Sequence, residues 1–464
     1  MNKKILIKNA KAIVTCDATD QVFQNADMLI EGPKILQIGQ NLEAGDAEII
    51  RADGKFVYPG MINTHHHFFQ TFVRNLITID YPNMLVMDWI EKIYKIFQMI
   101  DSDVIYYSTL TSFADLIKHG CTCAFDHQYC YTKKTGKSPV DRQMEAAELL
   151  GIRYHAGRGA NTLSMAEGSN IPDNMLETTD EFLKDCDRLI AQYHDPNPYS
   201  MRQIVMAPCQ PLNCRKDTFV ETVAMARDKG VRMHTHLGEG ENEPMMARWG
   251  KRTMDWCQEI GFIGEDVWYA HDWEATKEEW KVLAATGTGV SHCPSPAVLG
   301  GFPILDIKAM QAAGVNISLG CDGSATNDSS NLLDALRMAY LMQAYHTKQR
   351  GGSASAYDML KVATINGAKT LGRPDLGSLE VGKAADLFMI DTETLELAGA
   401  LHDPRHIIPR VGLTGNVWMT MINGKVVYKD GILQGVDEKK LAAEGEAVCT
   451  RVLREPNDAF KNLF

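Results

Sequence analysis

Three histidines stand in succession at positions 65–67, inside the stretch YPGMINTHHHFFQTF. Side chains alternate faces along a strand, so His65 and His67 point one way and His66 the other. Two imidazoles one pleat apart can share a metal ion, whereas buried imidazoles without partners are costly. The stretch HTHLGEGE repeats the pattern: His236 ends an apolar run, His234 lies one layer deeper, and Glu239 follows in the turn. Asp322 closes another apolar run in LGCDGSATND. Three imidazoles and one carboxylate, with water completing the shell, suit one divalent ion. Zinc is the first expectation, and iron or manganese fits the same donors. His65, His67, His236 and Asp322 are therefore the expected ligands, with His234 as a supporting or core residue.

Residues so far apart need a scaffold that gathers them. Between residues 59 and 372, short apolar runs such as CTCAFDH, RQIVMAPC, VRMHTHL and DVWYAH alternate with helical stretches such as DRQMEAAELLG and DTFVETVAMARDKG. About eight strand–helix repeats over roughly 300 residues match a (β/α)8 TIM barrel. Six of the eight strands finish in polar residues: His65 with His67, Asp126 with His127, His155 with Arg158, His234 with His236, His271, and Asp322. In a barrel these strand ends open onto one face. Residues 1–58 and 373–435 are instead rich in alternation with Asn-Gly and Asp-Gly breaks. Each is too small to fold alone, so the two are expected to form one composite β-sandwich domain. Residues 436–464 read as a charged, helical tail.

Composition narrows the setting. The 464 residues are 45% hydrophobic, with 47 basic against 59 acidic residues and a net charge of −12. This balance, without basic runs, argues against a nucleic-acid or anionic-membrane partner. Eleven scattered cysteines without a CxxC pair read as reduced thiols in a cytoplasmic protein. Lys8 and Lys11 interrupt what would be a signal peptide's apolar core.

The motifs PGMINTHHH, HTHLGE, WYAH and GCDGSATND, in this order, resemble the amidohydrolase superfamily, in its amino-heterocycle deaminase and triazine hydrolase branch. GSLEVGKAADL matches the segment that returns such chains to the small β domain. The resemblance covers nearly the whole chain and implies the same four ligands, with Glu239 and His271 as the acid–base pair and Asp322 helping to orient the nucleophile. NTHHHFFQTFVR, YHAGRGANTLS, VMAPCQPLN and TGTGVSHCP are most similar to 8-oxoguanine deaminases. After HCP, however, this chain reads SPAVLGGF where such relatives carry a Ser-Asn-Met-like loop, and that loop edges the pocket. The fourth strand ends VMAPCQP, without the lysine that a bridged pair of metals would need, so one ion is expected. Homo-oligomers are common in the branch.

The expected function is hydrolytic deamination of an amino-substituted N-heterocycle, a small molecule such as 8-oxoguanine or a guanine-like base. The alternative is a triazine-type hydrolase that expels chloride or an alkylamine, and a non-catalytic scaffold is the distant one. Gln70, Trp89, His127 and Arg158 are candidate substrate contacts. Cys209 and Trp273 would shape the pocket, and Glu241 is an alternative proton carrier.

Overall fold

A computed structural model describes residues 3–75, 86–347 and 354–454. The chain start forms β1 (Lys4–Val14), β2 (Val22–Glu31), β3 (Lys34–Gly39), β4 (Glu48–Arg51) and β5 (Lys55–Pro59). Eight strands follow: β6 (Met61–Asn63), β7 (Cys121–Gln128), β8 (Arg153–Ala160), β9 (Arg202–Pro208), β10 (Arg232–Leu237), β11 (Val267–His271), β12 (Gly289–His292) and β13 (Ile317–Leu319). The last four are β14 (Leu387–Asp391), β15 (Met419–Ile422), β16 (Lys425–Lys429) and β17 (Ile432–Leu433).

Strands β6 to β13 pair in sequence order and all in parallel. The Thr64 N–H donates to the Leu319 carbonyl (3.0 Å) and the Asp322 N–H to the His65 carbonyl (3.1 Å), which brings the last strand beside the first. Every residue of β7 and β8 is buried, as a parallel strand covered on both faces requires. The helices before β8, β10 and β12 stop at Gly151, Gly230 and Gly287, with φ of 70°, 67° and 74°. A Cβ is unfavourable in that left-handed conformation, so glycine ends each helix and returns the chain to the barrel base.

The other strands form a separate nine-stranded sheet of mixed direction. Its two halves meet where β5 pairs parallel with β1 and antiparallel with β14. Ile7, Ile13, Met28 and Val57 from the chain start share one core with Leu387, Met389 and Met421. Neither end of the chain could bury these residues alone. Gly60 is the crossing point from sheet to barrel, where a Cβ would lie 2.0 Å from the Thr122 hydroxyl.

Buried ion pairs tie the barrel base to this sheet. Arg153 opens β8 and donates to both Asp386 oxygens (3.0 and 2.9 Å), to Asn423 Oδ1 (3.2 Å) and to the Tyr199 and Ser200 carbonyls. Arg373 donates to Asp375 (3.0 and 2.8 Å) and to the Ser200 carbonyl (3.1 Å), and lies 3.3 Å from His155 Nε2. The helix Glu438–Cys449 packs on the helix Ser102–Lys118, and the rest of the expected tail beyond residue 454 lies outside the described residues. No described helix is long and apolar enough to cross a membrane.

Candidate metal centre and substrate cavity

At the C-terminal rim the structure brings His65, His67, His236, His271, Glu239 and Asp322 together. Ligand atoms of His65, His67 and His236 all lie within 4.8 Å of one another, as do those of His65, His271 and Asp322. Asp322 Oδ1 is 3.3 Å from both His65 Nε2 and His67 Nε2, and its Oδ2 is 3.9 Å from His271 Nε2. Glu239 Oε1 is 3.6 Å from His271 Nε2. His271 and Asp322 hold left-handed φ values of 74° and 66° just where their strands end. Such backbone is disfavoured for residues with a Cβ and concentrates where a structure must aim a side chain.

The proton positions follow from the partners. Burial drives the pKa of His65, His67 and His236 below the ordinary imidazole value, so the rings are neutral. His67 Nδ1 lies 2.9 Å from the His127 carbonyl, and His236 Nδ1 2.7 Å from the Cys209 carbonyl. A carbonyl only accepts, so both Nδ1 atoms carry the hydrogen and both Nε2 atoms present lone pairs. Yet these two Nε2 atoms face each other at 3.1 Å. Two acceptors at that distance repel unless a cation lies between them. His65 Nε2 is also buried without a hydrogen-bond partner. Together with the adjacent Asp322 carboxylate, this donor set fits one divalent ion. In a further trio, His65 with His127 and His234, both His234 nitrogens and His127 Nε2 have partners and His127 Nδ1 has none.

The two carboxylates differ in charge state. Burial opposes ionisation of Asp322, but the facing His271, His67 and His236 rings and the Gly323 N–H outweigh it and leave its pKa below the ordinary value. Burial raises the pKa of Glu239 well above the ordinary value, and the charges of Asp322 and Glu241 add to the effect. Burial lowers that of His271 to about 4. Glu239 thus takes up a proton more readily than an ordinary carboxyl, beside a neutral imidazole. Glu241 accepts the Glu239 N–H at 2.6 Å and also the Gly238 N–H, so it holds the turn that carries Glu239. Gly238 is needed there, since a Cβ would meet the Asp272 backbone at 2.7 Å.

Above the imidazoles lies a cavity of 60 Å³ walled by Trp89, Tyr94, Phe97, Tyr129, Trp273 and Phe302, with Gln70 at its side. Trp273 stacks on Phe302 at 4.4 Å; the stretch SPAVLGGF, expected as a loop, is largely the short helix Pro294–Gly300, and Phe302 follows its end. Gln70 is held in place by the Ala325 N–H (3.3 Å), and Gly323 leaves it room, because a Cβ there would lie 1.9 Å from its Oε1. An outer chamber of 890 Å³ opens beyond, and Ile90, Gln210, Glu239 and Phe302 form the wall common to both.

Gln70 and Trp89 thus stand on the cavity wall, whereas His127 and Arg158 do not. His127 stacks on His236 at 4.7 Å and donates through Nε2 to the Ala207 carbonyl (2.7 Å). Arg158 sits two residues before the end of β8, on the face turned to the helix layer. There it binds Asp185 (2.9 Å) and both oxygens of Glu177 (2.6 and 2.8 Å), under the Tyr131 ring. The expectation that Arg158 contacts the substrate does not fit this placement. Asp126 likewise faces outward, accepting from Gln143 (2.7 Å) and the Phe68 N–H, with burial pushing its pKa up to about 7. The sequence reading missed Tyr94, Phe97, Tyr129 and Phe302. Tyr129 continues the alternation of His127, and Tyr94 and Phe97 repeat Ile90 at helical spacing, so the signal was present.

Comparison with known proteins agrees with this architecture. The model of the amidohydrolase family matches residues 56–427. Hydroxydechloroatrazine ethylaminohydrolase of Pseudomonas sp. (strain ADP) is 50% identical over 452 residues, covering 95% of this chain and 94% of the relative. The 8-oxoguanine deaminase of Pseudomonas aeruginosa is 31% identical over 453 residues, 96% of this chain and 98% of the relative. Among solved structures, atrazine chlorohydrolase TrzN from Arthrobacter aurescens TC1, complexed with zinc, superposes with a TM-score of 0.91 at 29% identity, over 96% of this chain and 100% of that one. The chain belongs to the amidohydrolase family.

Proposed function

We propose that the chain hydrolyses the exocyclic C–N bond of an alkylamino-substituted, triazine-type N-heterocycle, leaving a ring hydroxyl and releasing the amine. The observation that carries this reading is the position of Glu239 in the wall between a narrow aromatic slot and a wide outer chamber. The slot suits a flat ring. An amine that takes its proton from Glu239 stands at the doorway, so an alkyl group on that nitrogen extends outward instead of meeting the slot wall. The 50% identity to an ethylaminohydrolase supports the same class. This reverses the order reached from sequence motifs, which put purines first. Deamination of an 8-oxopurine is the second reading, favoured by those motifs and by the 31% relative.

In this reading His65, His67, His236 and Asp322 hold one divalent ion, zinc first. When bound, such an ion lowers the pKa of a water to about 7 and so supplies a nucleophile at neutral pH. Glu239, as the carboxylate, removes a proton from the attacking water and returns it to the departing amine, and burial, which raises its pKa, makes it a stronger base than an exposed carboxylate. Neutral His271, whose Nε2 lies 3.6 Å from Glu239 Oε1, orients the water. Gln70 pairs with an amide-like ring edge, and Trp89 covers the ring face. Residues 59–372 carry the catalysis, with 1–58 and 373–435 as the supporting unit. Eleven buried free thiols support a reducing, cytoplasmic setting.

The test is release of alkylamine from alkylamino-hydroxytriazines, measured beside ammonia release from aminotriazines, guanine and 8-oxoguanine. Ammonia from purines alone would replace this reading with the second, and no amine from any substrate would remove both. Glu239→Gln is expected to keep its metal content and lose turnover by about 10²–10⁴.

A further inference from the structure

His65 differs from its two neighbours in what its Nδ1 meets. His67 and His236 rest on backbone carbonyls, but His65 Nδ1 lies 2.9 Å from another imidazole, His234 Nε2. An imidazole can donate or accept, so this contact alone does not fix where the hydrogen sits. The next contact does. His234 Nδ1 lies 2.9 Å from the Trp268 carbonyl, which only accepts, and the Trp268 indole N–H donates in turn to the Thr64 carbonyl at 3.0 Å. His234 therefore carries its hydrogen on Nδ1 and, as a neutral ring, can only accept at Nε2. His65 must then carry its hydrogen on Nδ1 and turn a lone pair at Nε2 toward Asp322.

We propose that His234 is a positioning residue that sets the tautomer of His65, through a chain of bonds running from Trp268 across β11, β10 and the end of β6. The chain loops back, since Thr64, which accepts the Trp268 indole N–H, directly precedes His65. Phe125 packs edge-on against His234 at 4.7 Å, and Trp268 lies at 4.7 Å from the same ring and 4.8 Å from Phe125, so the three rings pack on one another. His65, His234 and Trp268 are all fully buried, so water does not offer an alternative partner. The inference rests on the reading of His65 as a metal ligand.

The experiment measures zinc affinity of the full-length protein by chelator competition, with thermal midpoints of the metal-free proteins recorded alongside. His234→Leu removes the acceptor and is expected to weaken zinc binding 10–100-fold. His234→Gln keeps an acceptor oxygen and is expected to recover most of that loss. Equal affinity in the Leu variant and the parent, or equal weakness in the Leu and Gln variants, overturns the proposal. His65→Ala separates the two readings: if it leaves zinc affinity intact, the ligand assignment itself is wrong. Should His234→Leu not fold, ¹⁵N spectra of the metal-free parent with labelled histidines decide the matter. Hydrogen on Nδ1 of both rings supports the chain, and hydrogen on Nε2 of either ring breaks it.

Discussion

At the base of the barrel, Arg153 and Arg373 are buried like the histidines at the rim, yet neither keeps a buried N–H without an acceptor. At the rim, His65 Nε2 and both nitrogens of His271 are buried and bare. At the base the guanidinium groups of Arg153 and Arg373 are used up on neighbouring acceptors, although His155 Nδ1 and Arg232 Nε there lack partners, whereas the rim leaves bare the ring nitrogens that face one another and Asp322. A buried donor or acceptor without a partner costs roughly 1–3 kcal/mol, so the rim is held open at the expense of the rest of the fold. Buried charge thus serves two ends here, and the count of free lone pairs tells them apart.

Three changes would break or sharpen that contrast. The largest effect is expected from removing the metal by chelation. Turnover should disappear, return on adding zinc, and be accompanied by a loss of about 2.7 kcal/mol relative to protein held at 100 times the dissociation constant. Equal stability with and without the ion would mean that the bare nitrogens are not waiting for a cation. At the base, Asp386→Ala should cost about 3–5 kcal/mol in denaturant unfolding by leaving Arg153 buried without its counter-charge. Turnover per folded molecule should stay the same, and a selective loss of activity would put the base inside the machinery. The third change, read in stability alone, concerns Asp126, which belongs to neither set. Its folded pKa of about 7 lies above the ordinary 3.8, so its contribution to stability is complete below pH 3.8 and is lost as pH rises toward 7. Asp126→Asn cannot titrate, so the parent should lose up to roughly 4 kcal/mol against it between those pH values. Parallel stability profiles would show that the buried carboxyl does not hold its proton.

The cluster of candidate ligands was legible because each member has a mark that survives in one dimension: an apolar run, a polar end and the two-residue alternation that pairs His65 with His67. The barrel was legible for the same reason, through eight repeats. Arg158 was misjudged because a strand end says nothing about which face its last polar residue takes. That face depends on where the strand stops, and β8 runs on to Ala160. Its partners Glu177 and Asp185 lie in the following loop and helix, and no pattern in the sequence marks them as its counter-ions. The cavity walls were hidden differently. Phe302 enters from a loop, and its stacking on Trp273 depends on tertiary packing alone.

The placement of β5 bears on how the molecule is made. This strand ends in the middle of the mixed sheet, between β1 and β14, and residues 56–58 are buried there. On the ribosome, β14 emerges about 330 residues after β5, a delay of roughly 16–66 s at 5–20 residues per second. Throughout that interval Phe56, Val57 and Tyr58 sit on an open strand edge, the kind of surface that pairs with other chains. That edge stays unpaired until β14, in the last fifth of the chain, has been synthesised.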